Sequence, residues 1–420
     1  MTRKMKSSGI EWIGEIPEGW EIGKLKRFTT INSGEFLDKN EFVDNGNVKV
    51  IGANGKIGSY NKSNLNQSAI VTGRVGTIGT LYIEKNVWIT DNVLAVHVIE
   101  GYLKFFYYYM HTLNFKEMSN TTAQPLITAS KLSNINMAIP SVEEQRIISC
   151  FLDKKIKHIE EIKNSINKQI KALKNYKKSV ITEAVTKSLD KNVEMKDSGI
   201  EWIGETPKHW KVIRIKNAAL LKARIGWQGL RSDEFLTDSG LPYLVTGTDF
   251  NNGYVDWDNC VRISEKRFEM DKNIQIKEND LLITKDGTIG KLAIARNCPN
   301  KASLNSGVFV MRNQGPYKYM DKYMYYLLQS EQFYLWFELN DAGNSTIRHL
   351  YQKDFYNFSF TYPELKEQEK IVSYLDKKTK LIDDSTSLKR KQLETLEEYK
   401  KSLIYEYVTG KKEVTDGEEI

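Results

Sequence analysis

The sequence predicts an α+β protein: two globular α/β domains separated by two long antiparallel helices in a coiled coil, the whole a pseudo-twofold internal repeat. Three observations carry this expectation. A helical run after Pro140 is echoed after Pro363: Glu144-Gln145, Asp153-Lys154-Lys155 and Tyr176-Lys177-Lys178-Ser179 return 223 positions later as Glu367-Gln368, Asp376-Lys377-Lys378 and Tyr399-Lys400-Lys401-Ser402. A leader, KSSGIEWIGEIPEGWEIGKLK from residue 6, returns 190 positions later as KDSGIEWIGETPKHWKVIRIK. The runs after the two prolines also carry apolar residues at heptad spacing.

The expected organisation follows from these offsets. Residues 1–140 form a first domain with its leader, 141–186 a long helix and 187–198 a linker. Residues 199–363 form a second domain with its leader, 364–410 a second long helix and 411–420 a tail. The two offsets differ by 33 residues, so the second globular segment carries an insertion of that size while leader and helix keep their lengths.

In each leader, Trp12, Pro17 and Trp20, or Trp202, Pro207 and Trp210, are spaced as a rigid loop with aromatic anchors, expected to pin the leader against the long helix. From about Val48 the first domain reads as short strands and turns: VKVIG, a turn at Asn54-Gly55, SAIVTG, a turn through RVGTIG, then TLYIEK and NVLAVHV. One aromatic-rich helix, GYLKFFYYYMHTLNF, follows, then a loop and a last strand into Pro140. The second domain replays this plan with LPYLVTG, a turn near Asn252-Gly253, DLLITKDGTIGKLAIAR, GVFVM and one helix through KYMDKYMYYLLQSEQFYLWF. Its Gly287-Thr288-Ile289-Gly290 matches Gly76-Thr77-Ile78-Gly79, while the flanking residues differ. The helical spacing of the Tyr and Phe residues reads as core packing rather than base stacking.

In the first long run Leu152, Ile159, Ile166, Leu173 and Val180 lie seven apart, beside a stripe that alternates Ile156, Lys163, Ile170 and Lys177. The run's roughly 45 residues make a rod of about 65 to 70 Å. Taken alone, the heptads describe an ordinary dimerising coiled coil; the echo turns the partner into the chain's own second helix. A pseudo-twofold repeat then makes the rods antiparallel and brings the C-terminal tail near the N-terminal leader.

The 420 residues, 40% hydrophobic and 11% aromatic, suffice for more than one core. Lys and Arg number 61 against 54 Asp and Glu, a net charge of +7 that permits a nucleic-acid partner. Cys150, Cys260 and Cys298 are odd in number and far apart, which argues against a disulfide framework or zinc site. The chain has no stretch of signal-peptide or membrane-span type, and a cytoplasmic protein without a membrane partner is expected.

Catalytic and metal motifs give no site. GANGKIG and GRVGTIG are glycine-rich but lack the phosphate-loop Lys-Ser/Thr ending and open no helix. His97, His111, His158, His209 and His349 are scattered without metal-ligand spacing. A non-catalytic chain is expected. Two similar, non-identical domains on a stiff spacer suit a ligand with two sub-sites, and duplex DNA offers matching grooves one turn, roughly 34 to 36 Å, apart.

The ordered set of duplicated leaders, paired GTIG turns, IPSVEEQ and YPELKEQ helix entries, and LDKK and YKKS pairs covers essentially the whole chain. In these residues it resembles the specificity subunit of type I restriction-modification enzymes. That resemblance implies two target recognition domains, each reading one half of a split, asymmetric target on double-stranded DNA. It also implies two modification (methyltransferase) subunits and restriction (translocase and nuclease) subunits as partners. Those partners carry adenine methylation with S-adenosylmethionine and cleavage with ATP and Mg; no cofactor belongs to this chain.

Base readers are expected among polar side chains on loops and turns, with Arg or Lys bridging guanine O6 and N7, and Asn or Gln pairing with adenine N6 and N7. The candidates are Lys56, Asn61, Lys62, Arg74 and Gln124 in the first domain, and Arg224, Gln228, Lys285, Asn344 and Arg348 in the second. Phosphate contact is the competing role for each. The competing functions for the chain are a coiled-coil scaffold and a stand-alone DNA-binding regulator.

Overall fold

The computed structural model describes residues 3–119, 125–225, 229–340 and 348–415. The chain divides into two compact units: Met1–Asn167 with Lys389–Ile420, and Lys168–Leu388. Each long helix has residues in both units and contributes one part of its length to each unit's core.

In the first unit the leader folds as an antiparallel hairpin of Met5–Ser7 with Glu15–Pro17. The central sheet is antiparallel in the order Thr29–Ser33, Val93–Val98, Ala69–Gly73, Leu81–Glu84. Its inner strands are buried on both faces, and the two-residue period of a strand sorts their side chains. Ile70, Leu94 and Val96 join the core under the helices, while Ala69, Val71, Val93 and Ala95 pack with Ile51, Leu65, Val87 and Ile89. This second core lies under a smaller sheet of Gly55–Tyr60, Val48–Gly52 and Trp88–Ile89.

The second unit repeats the plan and enlarges it. Its main sheet runs Ala219–Lys222, Val308–Asn313, Leu281–Thr284, Leu292–Ile294, Tyr254–Val255, Phe250–Asn251. Leu281 and Ile283 face the helical core, and Leu282 faces the other. The two strands this sheet adds, Phe250–Asn251 and Tyr254–Val255, form a hairpin that turns at Asn252-Gly253 through left-handed backbone at φ +49° and +83°, so this turn is an addition to the plan and not the counterpart of the turn at Asn54-Gly55.

Each aromatic run forms two helices rather than one. Leu103–Met110 and Phe115–Met118 are separated where the Asn114 side chain accepts from Glu117 N and caps the second. Asp321–Leu327 and Glu331–Asn340 are separated at Ser330, whose hydroxyl donates to Leu327 O at 2.6 Å. Phe105, Phe106, Tyr109, Tyr323, Met324 and Phe333 are almost fully buried, as core packing requires.

The long helices are Val142–Lys187 and Leu365–Val408. In the first unit Ile148, Phe151, Leu152 and Ile159 pack with Leu403, Ile404, Tyr407 and Val408. In the second, Val180, Ile181, Ala184 and Val185 share a core with Ile371, Val372 and Leu375. The beginning of each helix therefore lies with the end of the other, which is the antiparallel arrangement. Fully buried residues such as Leu152 and Leu375 contribute roughly 1.5 to 3 kcal/mol each.

Each leader is fixed to a long helix by its second tryptophan, whereas Trp202 Nε1 donates to Ser359 O on a strand at 2.9 Å. Trp20 Nε1 donates to the Glu144 carboxylate at 3.1 Å, and Trp210 Nε1 to Glu367 Oε2 at 2.9 Å. Gly410 ends the second helix at φ +73°, where a Cβ would lie 2.4 Å from Pro17 Cδ, so the tail passes against the first leader.

Candidate nucleic-acid interface

The two Gly-Thr-Ile-Gly segments are turns between sheet strands, Ala69–Gly73 with Leu81–Glu84 and Leu281–Thr284 with Leu292–Ile294. Four left-handed glycines shape them: Gly76 at φ +73°, Gly79 at +80°, Gly287 at +69° and Gly290 at +79°. A Cβ on Gly79 would meet Phe115 at 2.9 Å and one on Gly290 would meet Phe333 at 3.2 Å, so each turn is seated on the second short aromatic helix.

Arg74 opens the first turn. Its N–H donates to Asn92 O at 2.8 Å and its carbonyl accepts from Ile127 N at 3.0 Å, which clamps its backbone between two segments. The guanidinium is half-exposed, with Nη1 3.5 Å from Ser33 Oγ. Lys285 occupies the matching place: its carbonyl accepts from Leu350 N at 2.8 Å. Lys285 Nζ lies 3.1 Å from Asp286 Oδ2 and 5.7 Å from the centre of the Phe309 ring.

Lys56 stands exposed at the tip of the hairpin made by Val48–Gly52 and Gly55–Tyr60, and Asn61 and Lys62 are exposed just beyond it. Asn64 anchors that segment, accepting from Ile89 N at 2.7 Å and donating to Ile89 O at 2.9 Å. Arg348 is exposed next to His349, whose Nδ1 lies 2.7 Å from Asp286 Oδ1. Lys285 and Arg348 thus stand at one turn in the second unit. Lys56, Asn61 and Lys62 share another segment in the first.

Arg224 is placed differently. Its side chain is turned inward and 2% exposed, donating from Nε to Leu304 O at 2.9 Å and from Nη2 to Ser303 Oγ at 3.1 Å. Burial lowers its pKa, with Arg267 adding repulsion. An arginine held in this way braces the strand Ala302–Leu304 and presents no edge to a ligand, so the expectation of an exposed loop reader is corrected. Gln124, Gln228 and Asn344 lie outside the described residues.

Sequence reasoning passed over Asp286 and His349, which complete the charged group on the second turn. The available signal was the substitution of Lys285-Asp286 for Arg74-Val75 beside an unchanged Gly-Thr-Ile-Gly.

Comparison with known proteins agrees with this duplicated architecture. The family described as "Type I restriction modification DNA specificity domain" matches twice, over residues 17–172 and 207–398. A Methanocaldococcus jannaschii protein named as the MjaX type I restriction enzyme specificity subunit is 24% identical, over 95% of each chain. The EcoBI specificity subunit of Escherichia coli is 24% identical over 70% of this chain and 62% of its own. Among solved structures, a chain described under complex assembly and conformational transition of the type I R-M system superposes with a TM-score of 0.68. It is 14% identical, covering 94% of this chain and 98% of that one, a likeness of fold. With both repeats matched and each folded on its own sheet, the chain belongs to the type I restriction-modification DNA specificity family.

Proposed function

We propose that the chain, a DNA specificity subunit of a type I restriction-modification system, reads a bipartite, asymmetric target with one part assigned to each globular domain. The observation that supports this most directly is one scaffold used twice with different, partly exposed side chains: the same glycine turn carries Arg74 in one unit and Lys285 in the other. Lys56, Asn61, Lys62 and Arg74 serve the first part of the target, and Lys285 and Arg348 the second. Arginine and lysine suit guanine O6 and N7, and asparagine suits adenine N6 and N7.

In this reading the chain contributes recognition and its partners contribute chemistry. Two modification subunits supply adenine methylation with S-adenosylmethionine, and restriction subunits supply ATP- and Mg-dependent translocation and cleavage. The work is done inside the cell; among the described residues no helix is long and apolar enough to cross a membrane.

Genome-wide adenine methylation compared with and without this gene tests the proposal. The expected result is loss of one two-part motif together with co-purification of a methyltransferase subunit. An unchanged methylation pattern from cells with active modification subunits would overturn it. A single uninterrupted footprint without that partner would point to a stand-alone regulator instead.

A further inference from the structure

The two Gly-Thr-Ile-Gly turns close on the loop after the aromatic helices in the same way. In the first unit Ile127 N donates to Arg74 O at 3.0 Å, and in the second Leu350 N donates to Lys285 O at 2.8 Å. Ile127 and Leu350 are 223 positions apart, the offset of the helix repeat. Beside this shared bond the turns differ at two facing positions. Val75 forms an isolated antiparallel bridge with Leu126. Their counterparts are Asp286 and His349, joined at 2.7 Å through Oδ1 and Nδ1.

Closing the turn does not require the polar pair, because the apolar pair accompanies the same backbone bond in the first unit. Nor does stability account for it: the Asp286 and His349 side chains are 33% and 38% exposed, and ion pairs at such positions contribute about 0 to 1 kcal/mol. What the exchange changes is the surface displayed. Val75 and Leu126 offer half-buried methyl groups, whereas Asp286 offers a carboxylate. His349 engages one of its oxygens and Lys285 Nζ, at 3.1 Å, the other. A carboxylate has about four lone-pair sites, so acceptor capacity remains on Asp286 for a further donor.

We infer that these are matched specificity-determining pairs. Val75 with Leu126 takes the 5-methyl group of a thymine in one part of the target. Asp286, oriented by His349 and Lys285, accepts from the N4 amino group of a cytosine in the other. The inference rests on the DNA-specificity reading above and assigns it a residue pair in each half.

The test maps the methylated motif in cells producing the chain with its cognate modification subunits. If the wild-type chain directs no two-part motif, the DNA-specificity reading itself fails. Given that motif, the double variant Asp286→Val, His349→Leu shifts base preference about tenfold or more, from cytosine toward thymine, at one position of one part. The other part stays unchanged. The reciprocal variant Val75→Asp, Leu126→His shifts one position of the other part. An unchanged motif at undiminished methylation in both variants overturns the inference.

If the double variants abolish methylation, the near-isosteric Asp286→Asn decides. A relaxed base at one position, or lost methylation with an unchanged melting temperature, supports the inference. An unchanged motif, or lost methylation with a lowered melting temperature, overturns it.

Discussion

Lys400 Nζ lies 2.8 Å from Glu160 Oε1, and the same contact occurs in the other unit with the helices exchanged, where Lys177 Nζ lies 2.7 Å from Asp383 Oδ2. Lys177 and Lys400, like Glu160 and Asp383, are 223 positions apart. The lysines of the mixed apolar and basic stripe are thus ion-pair partners for the sister helix. Lys163 adds a further pair with Glu397.

These pairs give a pH-dependent stability. The Lys400 ammonium, opposed by partial burial and reinforced by Lys163, holds the Glu160 carboxyl below the usual carboxylate range. A carboxyl with a depressed folded-state pKa stabilises the fold above its unfolded pKa, and that stabilisation is lost as pH falls through the folded-state value. Glu160→Gln is expected to lose about 0.2 to 1 kcal/mol in urea unfolding at neutral pH. The deficit should vanish in acid once the wild-type carboxylate is protonated, and a deficit independent of pH would contradict this account.

Gln145 and Gln368 make a second matched pair, buried at 2% and 0% exposure. Gln145 accepts from Tyr102 N at 2.8 Å and donates to Pro140 O at 3.0 Å. Gln368 accepts from Met320 N at 2.9 Å and donates to Pro363 O at 2.9 Å. Each side chain joins the start of a long helix to the start of an aromatic helix. Truncation to Ala leaves a backbone donor and acceptor unpaired, at a cost of about 1 to 3 kcal/mol. Hydrogen exchange should show the Tyr102 amide deprotected in Gln145→Ala and the Met320 amide deprotected in Gln368→Ala, each without effect on the other.

Much of this was legible because the repeat motifs are the contact residues. Asp153 accepts from Tyr108 Oη at 2.5 Å, and Asp376 accepts from Tyr326 Oη at 2.6 Å, so duplication of the Asp-Lys-Lys triplet reports a duplicated junction. Arg224 was not legible. Its burial is decided by Ser303 and Leu304, which lie 79 and 80 positions away on the strand Ala302–Leu304 and leave no local trace in the sequence. Asp286 and His349 are separated by 63 positions, and nothing near either residue announces the other. The breaks in the aromatic runs depend on Asn114 and Ser330, ordinary polar residues whose capping or carbonyl-bonding role appears only once the turns are formed.

Arg74 and Arg224 predict opposite phenotypes. Arg74 is half-exposed on a clamped backbone, so Arg74→Ala should leave the melting temperature unchanged and weaken binding to the cognate duplex by about tenfold or more. Arg224→Ala removes the donors to Leu304 O and Ser303 Oγ and opens a cavity, so it should lower stability by about 1 to 3 kcal/mol. Calorimetry and a binding titration on the two variants separate the roles; equal stability losses would contradict the assignment.

The heptad pairing also predicts how the target's gap responds to helix length. The long helices cross the unit boundaries after Asn167 and after Leu388. Seven residues inserted at each point lengthen the rods by about 10.5 Å and turn them through nearly two complete revolutions, preserving the apolar seam to within about 20°. The methylated motif should keep both parts and widen its gap by about three base pairs. Four residues add about 6 Å and turn the helix some 40° past a full revolution, so the gap should grow by one or two base pairs with weaker methylation. A single inserted residue rotates the far side of each helix by about 100° and takes the seam out of register; methylation should be lost while each unit retains its core. If all three insertions left the gap unchanged, the helices would not set the spacing between the two parts of the target.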